Sequence, residues 1–169
     1  VDASMIGFYD WIPLQKMGFN LLANVPKEVP EYISTLTVAT DSFIASYPDI
    51  CLKIVKALIM NNRWFFTHPQ TFLERFKTIL PNWQDGKAWD AIVPFVEFAF
   101  ESGCNEINGR FTEEQIQFVA NVALREMKTI EKIPAMKDMV DFRFLTQALA
   151  ELGEWPYKKP LPPFPAEYE

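Results

Sequence analysis

The sequence predicts a helix-rich α/β fold, and three observations favour it. Short apolar runs without helical periodicity occupy parts of the first 40 residues, as in buried strands. Apolar side chains then recur at helical spacing through most of the following sequence up to Gly153. The chain has 169 residues, of which 49% are apolar, and this is enough to bury a sizeable core.

The amino-terminal region alternates between predicted strands and turns. Residues 3–8 and 19–25 are apolar runs of strand length, and residues 11–17 between them fit a short helix closed by Gly18. Residues 32–40 are rich in β-branched side chains and form the best predicted strand. Because a sheet of two or three strands is only marginally stable, we expect further strands upstream of this sequence.

The region after residue 40 is predicted to be mostly helical. A helical turn over residues 41–45 comes first, and Ser46 is the predicted N-cap of the helix that follows. Thr112 and Gln115 match a capping box, and Gly153 fits the end of the last helix. The predicted helices span residues 48–66, 70–80, 87–102, 112–130 and 138–152. Five prolines within residues 154–169 predict an extended surface strap.

Charge, histidine and cysteine content narrow the classes of function. The formal charge is −6 and there is no long Lys/Arg run, so a nucleic-acid partner is not expected. His68 is the single histidine, which excludes a multi-histidine metal site within the chain, and we expect no cofactor. Cys51 falls within a helical apolar pattern and Cys104 in a loop, and we expect no disulfide between them. No apolar run approaches the roughly 20 residues that span a bilayer.

Catalytic motifs are absent from the sequence, which contains no glycine-rich phosphate loop, no nucleophile elbow and no HExxH helix. His68 lies at a helix boundary before Pro69, where a cap or turn role is favoured over that of a catalytic base. Residues 64–66, all aromatic, are predicted to be core rather than a ligand platform. We therefore do not expect an enzyme, and no catalytic residue is assigned.

The segment Tyr9-Asp10-Trp11 is the candidate ligand-binding site. It lies where a strand-like run ends and a helix begins, which is where open α/β sheets bind their ligands. Two aromatic side chains beside a carboxylate can stack a flat solute and hydrogen-bond it. The alternative is that Trp11 is a core residue and Asp10 an N-cap. No metal-binding residue is predicted.

Several passages of the sequence, taken in order, resemble the substrate-binding proteins of ABC transporters. The passages are Val1-Asp2-Ala3 followed by Pro13 and Gly18, residues 32–40, Asp41-Ser42-Phe43-Ile44 with Tyr47-Pro48, residues 54–58, and Val140-Asp141 through Leu152-Gly153. The group that they resemble binds aliphatic sulfonates, nitrate, taurine and thiamine pyrimidine precursors. The resemblance covers residues 1 to about 153 and lacks the first half of the family pattern.

The resemblance implies a partial type II periplasmic-binding-protein-like fold. Residues 1–30 would be the end of the second lobe, residues 31–153 the crossing strand and the helical part of the first lobe, and residues 154–169 a Pro-rich tail. The implied function is solute binding in an inter-lobe cleft, with delivery of the small-molecule ligand to an ABC permease. The implied location is periplasmic or extracytoplasmic, and the implied partner is a missing N-terminal half of the same fold.

Two other interpretations of the function stay open. One is an enzyme of the pyrimidine-synthase type on the same fold, which would need a reactive histidine or cysteine in the cleft. The other is a helical interaction module unrelated to transport, against which the strand-like first 40 residues argue. The acidic balance of the chain favours a neutral or cationic heterocycle over a sulfonate or nitrate as ligand.

Overall fold

The structure, a computed structural model, is helical wherever it is regular. It describes residues 3–4, 6–7, 11, 14–29, 33, 36–79, 92–103 and 106–169, and these contain no strand. The helices are α1 (Val25–Glu28), α2 (Asp41–Ser46), α3 (Pro48–Thr67), α4 (Pro69–Ile79), α5 (Ile92–Ser102), α6 (Glu113–Arg125), α7 (Met136–Met139) and α8 (Arg143–Leu152), and a 3-10 turn spans Ala166–Tyr168. The helix-rich part of the predicted fold class is therefore confirmed.

The predicted strands are the main correction to the sequence prediction. Residues 19–24 and 36–40 are in neither helix nor sheet, and within them Leu22 and Val38 are more than four-fifths exposed. A strand is stable only when a neighbouring strand pairs with its backbone, and the described residues supply no such neighbour. The structure describes the predicted strand at residues 3–8 and the first part of the predicted strand at residues 32–40 only in part.

The long helices agree with the prediction, with small changes at their ends. Helix α3 begins one position after Tyr47 because Pro48 occupies the first helical turn, where its fixed φ and missing N–H cost nothing. The predicted N-cap Ser46 instead ends α2. Thr112 and Gln115 form the predicted capping box at the start of α6. Of the predicted helix 87–102, residues 92–102 are described and helical.

Two predicted helices end or break earlier than expected. Helix α6 stops at Arg125 instead of residue 130, because the chain reverses with Lys128 at a φ of +54° and the Thr129 N–H bonded to the Ala123 carbonyl. The predicted helix 138–152 is divided into α7 and α8 by extended backbone at Val140. The carboxylate of Asp141 accepts a hydrogen bond from the Arg143 N–H at 3.0 Å and starts the second part.

Helix α3 is the centre of the structure. It packs against α8, α2, α5 and α4. One buried cluster joins α3 to α8 through Ile59, Ala148 and Leu149. A second, aromatic cluster joins α3, α5 and the following loop, and its buried members are Phe65, Phe66, Val96, Ala99, Phe100 and Ile107. The predicted core role of residues 64–66 is thus confirmed for Phe65 and Phe66, while Trp64 is half-buried.

Besides the side chains that it buries in these clusters, α3 has an apolar face that is exposed to solvent. Ile50, Ile54 and Leu58 lie four positions apart on this face, and 40–44% of each is accessible to solvent. Tyr47, which precedes the helix, is exposed as well. We call these four residues the outer stripe. A helix that is apolar on two opposite faces is normally covered on both.

The carboxyl-terminal residues 154–169, which we call the strap, contact the aromatic cluster. Trp155 and Leu161 pack against it, and the ring of Tyr157 stacks on Phe100 with centroids 5.1 Å apart. Further along, the ring of Phe164 contacts His68 edge to face. The strap therefore covers part of the core rather than extending into solvent.

Candidate functional site

A cavity lies between the start of α2 and the break that separates α7 from α8. Its volume is about 710 Å³. One wall consists of Ala39, Asp41, Ile44, Ala45 and Pro48, and the other of residues 137–143. Two parts of the chain that are far apart in sequence therefore border an open space large enough for a small molecule.

Local hydrogen bonds fix both walls of this cavity. On one side, the Oγ1 atom of Thr40 caps α2 by accepting the N–H of Phe43 at 3.2 Å. On the other side, Asp141 and Arg143 pair closely, with Oδ2 of the carboxylate 3.0 Å from Nε and 2.6 Å from Nη2 of the guanidinium. The side-chain hydrogen bonds from Arg143 lower the pKa of the Asp141 carboxyl from its ordinary value.

The charge balance of the cavity is acidic. Since Arg143 is engaged by Asp141, the remaining charged groups of the described lining are Asp41, Asp138 and Lys137. The rest of this lining is apolar, and it includes no hydroxyl, thiol or imidazole group. The arrangement can offer apolar contact and carboxylate acceptors to a bound solute.

A second, smaller cavity of about 450 Å³ lies beside α8. Phe111, Phe142, Leu145 and Leu149 form its apolar part, and the rings of Phe111 and Phe142 lie 5.3 Å apart. An ion pair between Arg110 and Glu154 lies at its rim. Both cavities share Phe142, so they meet at the start of α8.

The predicted ligand-binding residues are described only in part. Tyr9 and Asp10 lie outside the described residues. Trp11 is half-buried and is not among the residues that line either cavity. The aromatic wall that the sequence predicts therefore stays a prediction.

His68 has the boundary role that the sequence predicts. It is the C-cap of α3 and directly precedes α4. Its ring stacks on Trp64 at a centroid distance of 5.6 Å and lies 5.9 Å from the ring of Phe164. It lines neither cavity.

Cys51 is buried in α3 and its thiol is free. Cys104, the second cysteine, lies outside the described residues. The predicted absence of a disulfide between the two is thus a prediction that thiol titration can still test.

A buried polar cluster around Arg63 is a feature that the sequence analysis missed. The Arg63 side chain is 2% exposed and donates to Asn108 and to the carbonyl of Gly153. Burial lowers the pKa of this guanidinium, while the charges of Glu106 and Glu154 oppose the effect. The sequence signals for this buried cluster were weak. An arginine within an apolar run usually extends its charged group into solvent, and Asn108-Gly109 predicts only a turn.

Within the described ranges, no three acidic, histidine or cysteine side chains lie close enough together to hold a metal ion. None of the helices in that part of the chain combines the length and apolarity needed to cross a bilayer. No protein-family model, curated protein or solved structure matches this chain.

Proposed function

We propose that the chain is the carboxyl-terminal half of a solute-binding component of an ABC importer. The observation that carries the proposal is the composition of the larger cavity. Two passages on which the resemblance rests, residues 41–48 and 140–141, lie far apart in sequence and provide opposite walls of this cavity. A third passage, residues 54–58, lies on α3, which packs against both α2 and α8. Motifs that meet around one concavity are what a ligand site requires.

The exposed apolar surface supports the proposal that an amino-terminal half of the same fold is a partner of this chain. The outer stripe of α3 is uncovered, and Leu36 and Val38 expose apolar side chains on irregular backbone that leads into α2. Such surfaces are normally covered by another layer of the same fold or by a partner. In the proposed protein, the amino-terminal half of the fold covers them and completes the cleft.

The proposed ligand is a neutral or cationic small molecule. Asp41 and Asp138 give the cavity wall negative charge that Lys137 only partly balances, since Arg143 is paired with Asp141. An anionic sulfonate or nitrate would meet this charge unfavourably. Tyr9 and Trp11 are proposed to complete the site by stacking the solute, and Asp10 by hydrogen-bonding it.

Calorimetric titration of the 169-residue chain, and of any longer natural form that contains it, tests the proposal. The probes are taurine, nitrate, methanesulfonate and the thiamine pyrimidine precursor. We expect the pyrimidine to bind best, and the isolated chain to bind it weakly because a cleft without the amino-terminal half excludes little water. Trp11→Ala and Tyr9→Ala should each weaken binding by about one to two decades, as expected for the loss of a stacking ring.

The matched control is Trp64→Ala, which removes an aromatic ring that lines neither cavity. Its affinity for the pyrimidine should equal that of the wild type. If neither Tyr9→Ala nor Trp11→Ala changes the affinity, these residues are not part of the site. If none of the four probes binds the longer form, the proposed function is wrong.

A helical interaction module is the second candidate, and two observations favour it. The described residues form no sheet, and the outer stripe alone gives α3 a face suited to a partner helix. The two candidates differ in their response to solute, because an interaction module would gain no stability from any of the probes. For the enzyme alternative, His68 offers no support, since its ring is held between aromatic side chains away from the cavities.

A further inference from the structure

The smaller cavity runs along one face of α8. Phe142, Leu145 and Leu149 lie three and four positions apart on that face and line the cavity. Phe111, which precedes the N-cap of α6, also lines it, and its ring centroid lies 5.3 Å from that of Phe142. These four residues therefore offer a solute apolar contact that includes two adjacent aromatic rings.

Phe142 connects this cavity to the larger one. It lines both cavities, and its chain neighbours Asp141 and Arg143 line the larger one. The aromatic part of the smaller cavity therefore adjoins the charged wall of the larger cavity across a single residue. The volumes of about 710 and 450 Å³ each lie within the range of small-molecule sites. One elongated solute can thus contact both cavities.

The charge of the larger cavity selects one end of such a solute. In its described lining, Asp41 and Asp138 outnumber Lys137. Arg143 adds no net charge because it is paired with Asp141. A positive group on the solute would meet this negative charge favourably, and a carboxylate or phosphate would be repelled.

The charge of the smaller cavity has the same sign. Arg110 and Glu154 form an ion pair at its rim and balance each other. Glu113, in the first turn of α6, is the remaining charged residue of the described lining. An anionic group on the solute is therefore disfavoured at this end as well, whereas an uncharged ring is not.

We propose that the two cavities bind one elongated solute, an organic cation with an aromatic ring at its other end. The cationic group faces Asp41 and Asp138 in the larger cavity, and the ring packs against Phe111 and Phe142 in the smaller one. A solute with only one of these ends would leave one cavity to water. The inference rests on the proposed function, because it takes the larger cavity to be the solute site and names the class of solute.

Four probes of similar structure test this inference. Phenylbutylamine carries both the cation and the ring, butylamine lacks the ring, phenylbutanol lacks the charge, and phenylbutanoate has the opposite charge. NMR titration, which detects weak binding, measures each affinity for the 169-residue chain and for any longer natural form from the amide shifts of residues 137–149.

The order of the four affinities is the expected result. Phenylbutylamine should bind about 10- to 100-fold more tightly than butylamine, as for the stacking of one ring. It should bind about 1.5- to 5-fold more tightly than phenylbutanol, the range of exposed ion pairs, because Asp41 and Asp138 are both exposed. Phenylbutanoate should bind more weakly than phenylbutanol.

Two pairs of substitutions assign the ends of the solute to the two cavities. Phe111→Leu should weaken the binding of phenylbutylamine about 2- to 10-fold and leave that of butylamine unchanged. Its control is Phe76→Leu, since Phe76 is also half-buried but lines neither cavity. Asp41→Asn should weaken the binding of both amines and leave that of phenylbutanol unchanged, and Asp49→Asn is its control on α3.

The outcomes separate this inference from the proposed function. Equal affinities of the two amines, or tighter binding of phenylbutanoate than of phenylbutylamine, would overturn the inference while binding of the thiamine pyrimidine precursor keeps the proposed function. An affinity for phenylbutylamine that is unchanged in Phe111→Leu would also overturn it. If neither the amines nor the pyrimidine binds the longer form, both are wrong. The amides of α3 report whether each variant keeps the fold.

Discussion

Arg63 and Asn108 form a buried pair, with Nη2 of the guanidinium 3.0 Å from Oδ1 of the amide. The same Nη2 atom lies 2.6 Å from the carbonyl oxygen of Gly153, at the end of α8. The Asn108 side chain also bonds both backbone groups of Trp155. Its Oδ1 atom accepts the Trp155 N–H and its Nδ2 atom donates to the Trp155 carbonyl, each at 2.9 Å. One pair of side chains thus connects α3, the loop after α5, the end of α8 and the start of the strap.

We expect Asn108→Ala to destabilise the chain by about 2–4 kcal/mol. The substitution leaves the buried guanidinium with fewer acceptors, and it removes both hydrogen bonds to the Trp155 backbone. The Nε atom of Arg63 has no hydrogen-bond partner in the structure, so the guanidinium is already incompletely hydrogen-bonded before Asn108 is removed. Urea denaturation measures the change in the free energy of unfolding.

Asn61→Ala is the matched control, because Asn61 is an exposed asparagine on α3. Its effect should stay within about 0.5 kcal/mol, as for most surface substitutions. A loss at Asn108 no larger than the loss at Asn61 would mean that the buried cluster contributes little to stability.

The elements that the sequence predicts well are those with local causes. The capping box of α6 and the apolar spacing of α3 depend on residues within a few turns of one another. The strand prediction at residues 36–40 fails because β-branched composition gives only a preference, and pairing depends on a neighbour elsewhere. The break at Val140 was missed because the apolar pattern continues through it, while the Asp141 side chain competes for the Arg143 N–H.

The candidate site was harder to predict from the sequence than the helices were. Its larger cavity arises where residues 39–48 meet residues 137–143, and no local pattern reports a contact over that separation. The burial of Arg63 has the same origin, because its acceptors are Asn108 and the carboxyl end of α8.

The capping box gives a second stability prediction. Oγ1 of Thr112 accepts the Gln115 N–H at 3.1 Å, and Oε1 of Gln115 accepts the Thr112 N–H at 2.8 Å. Thr112→Ala removes the first of these bonds and should cost about 1 kcal/mol. Thr112→Ser keeps the hydroxyl and should cost much less. Urea denaturation of the two variants provides the comparison, and equal losses would show that the hydroxyl is not the stabilising group.

The ion pair between Asp141 and Arg143 predicts a pH-dependent contribution to stability. The folded-state pKa of Asp141 is lowered, mainly by its side-chain hydrogen bonds to Arg143. The contribution is therefore present above the ordinary aspartate value of about 3.9 and is lost as the pH falls below it. Because Arg143 is exposed, we expect Asp141→Asn to lower the thermal midpoint at pH 7 by only about 1–2 °C.

The difference between the midpoints of the wild type and Asp141→Asn should shrink as the pH falls below about 3.9, because the carboxyl is then progressively protonated. Asp138→Asn is the control, because Asp138 has no ion-pair partner among the described residues. Its midpoint should follow that of the wild type at every pH. A deficit in Asp141→Asn that is the same at pH 2.5 and pH 7 would contradict the assignment.

The two apolar faces of α3 give the last prediction. Ile59 is 2% exposed and packs against Ala148 and Leu149, whereas Ile54 is 40% exposed on the outer stripe. Ile59→Ala should cost about 2–5 kcal/mol, because it removes buried methyl groups and leaves a cavity. Ile54→Ala should cost less than about 1 kcal/mol in the 169-residue chain, because much of its side chain already contacts water. The urea unfolding midpoints of the two variants measure this difference.

The same pair of substitutions in a longer natural form tests whether the outer stripe is covered there. If it is, Ile54→Ala should become several-fold more costly while the effect of Ile59→Ala stays unchanged; an unchanged small cost would mean that the amino-terminal half does not pack on this face.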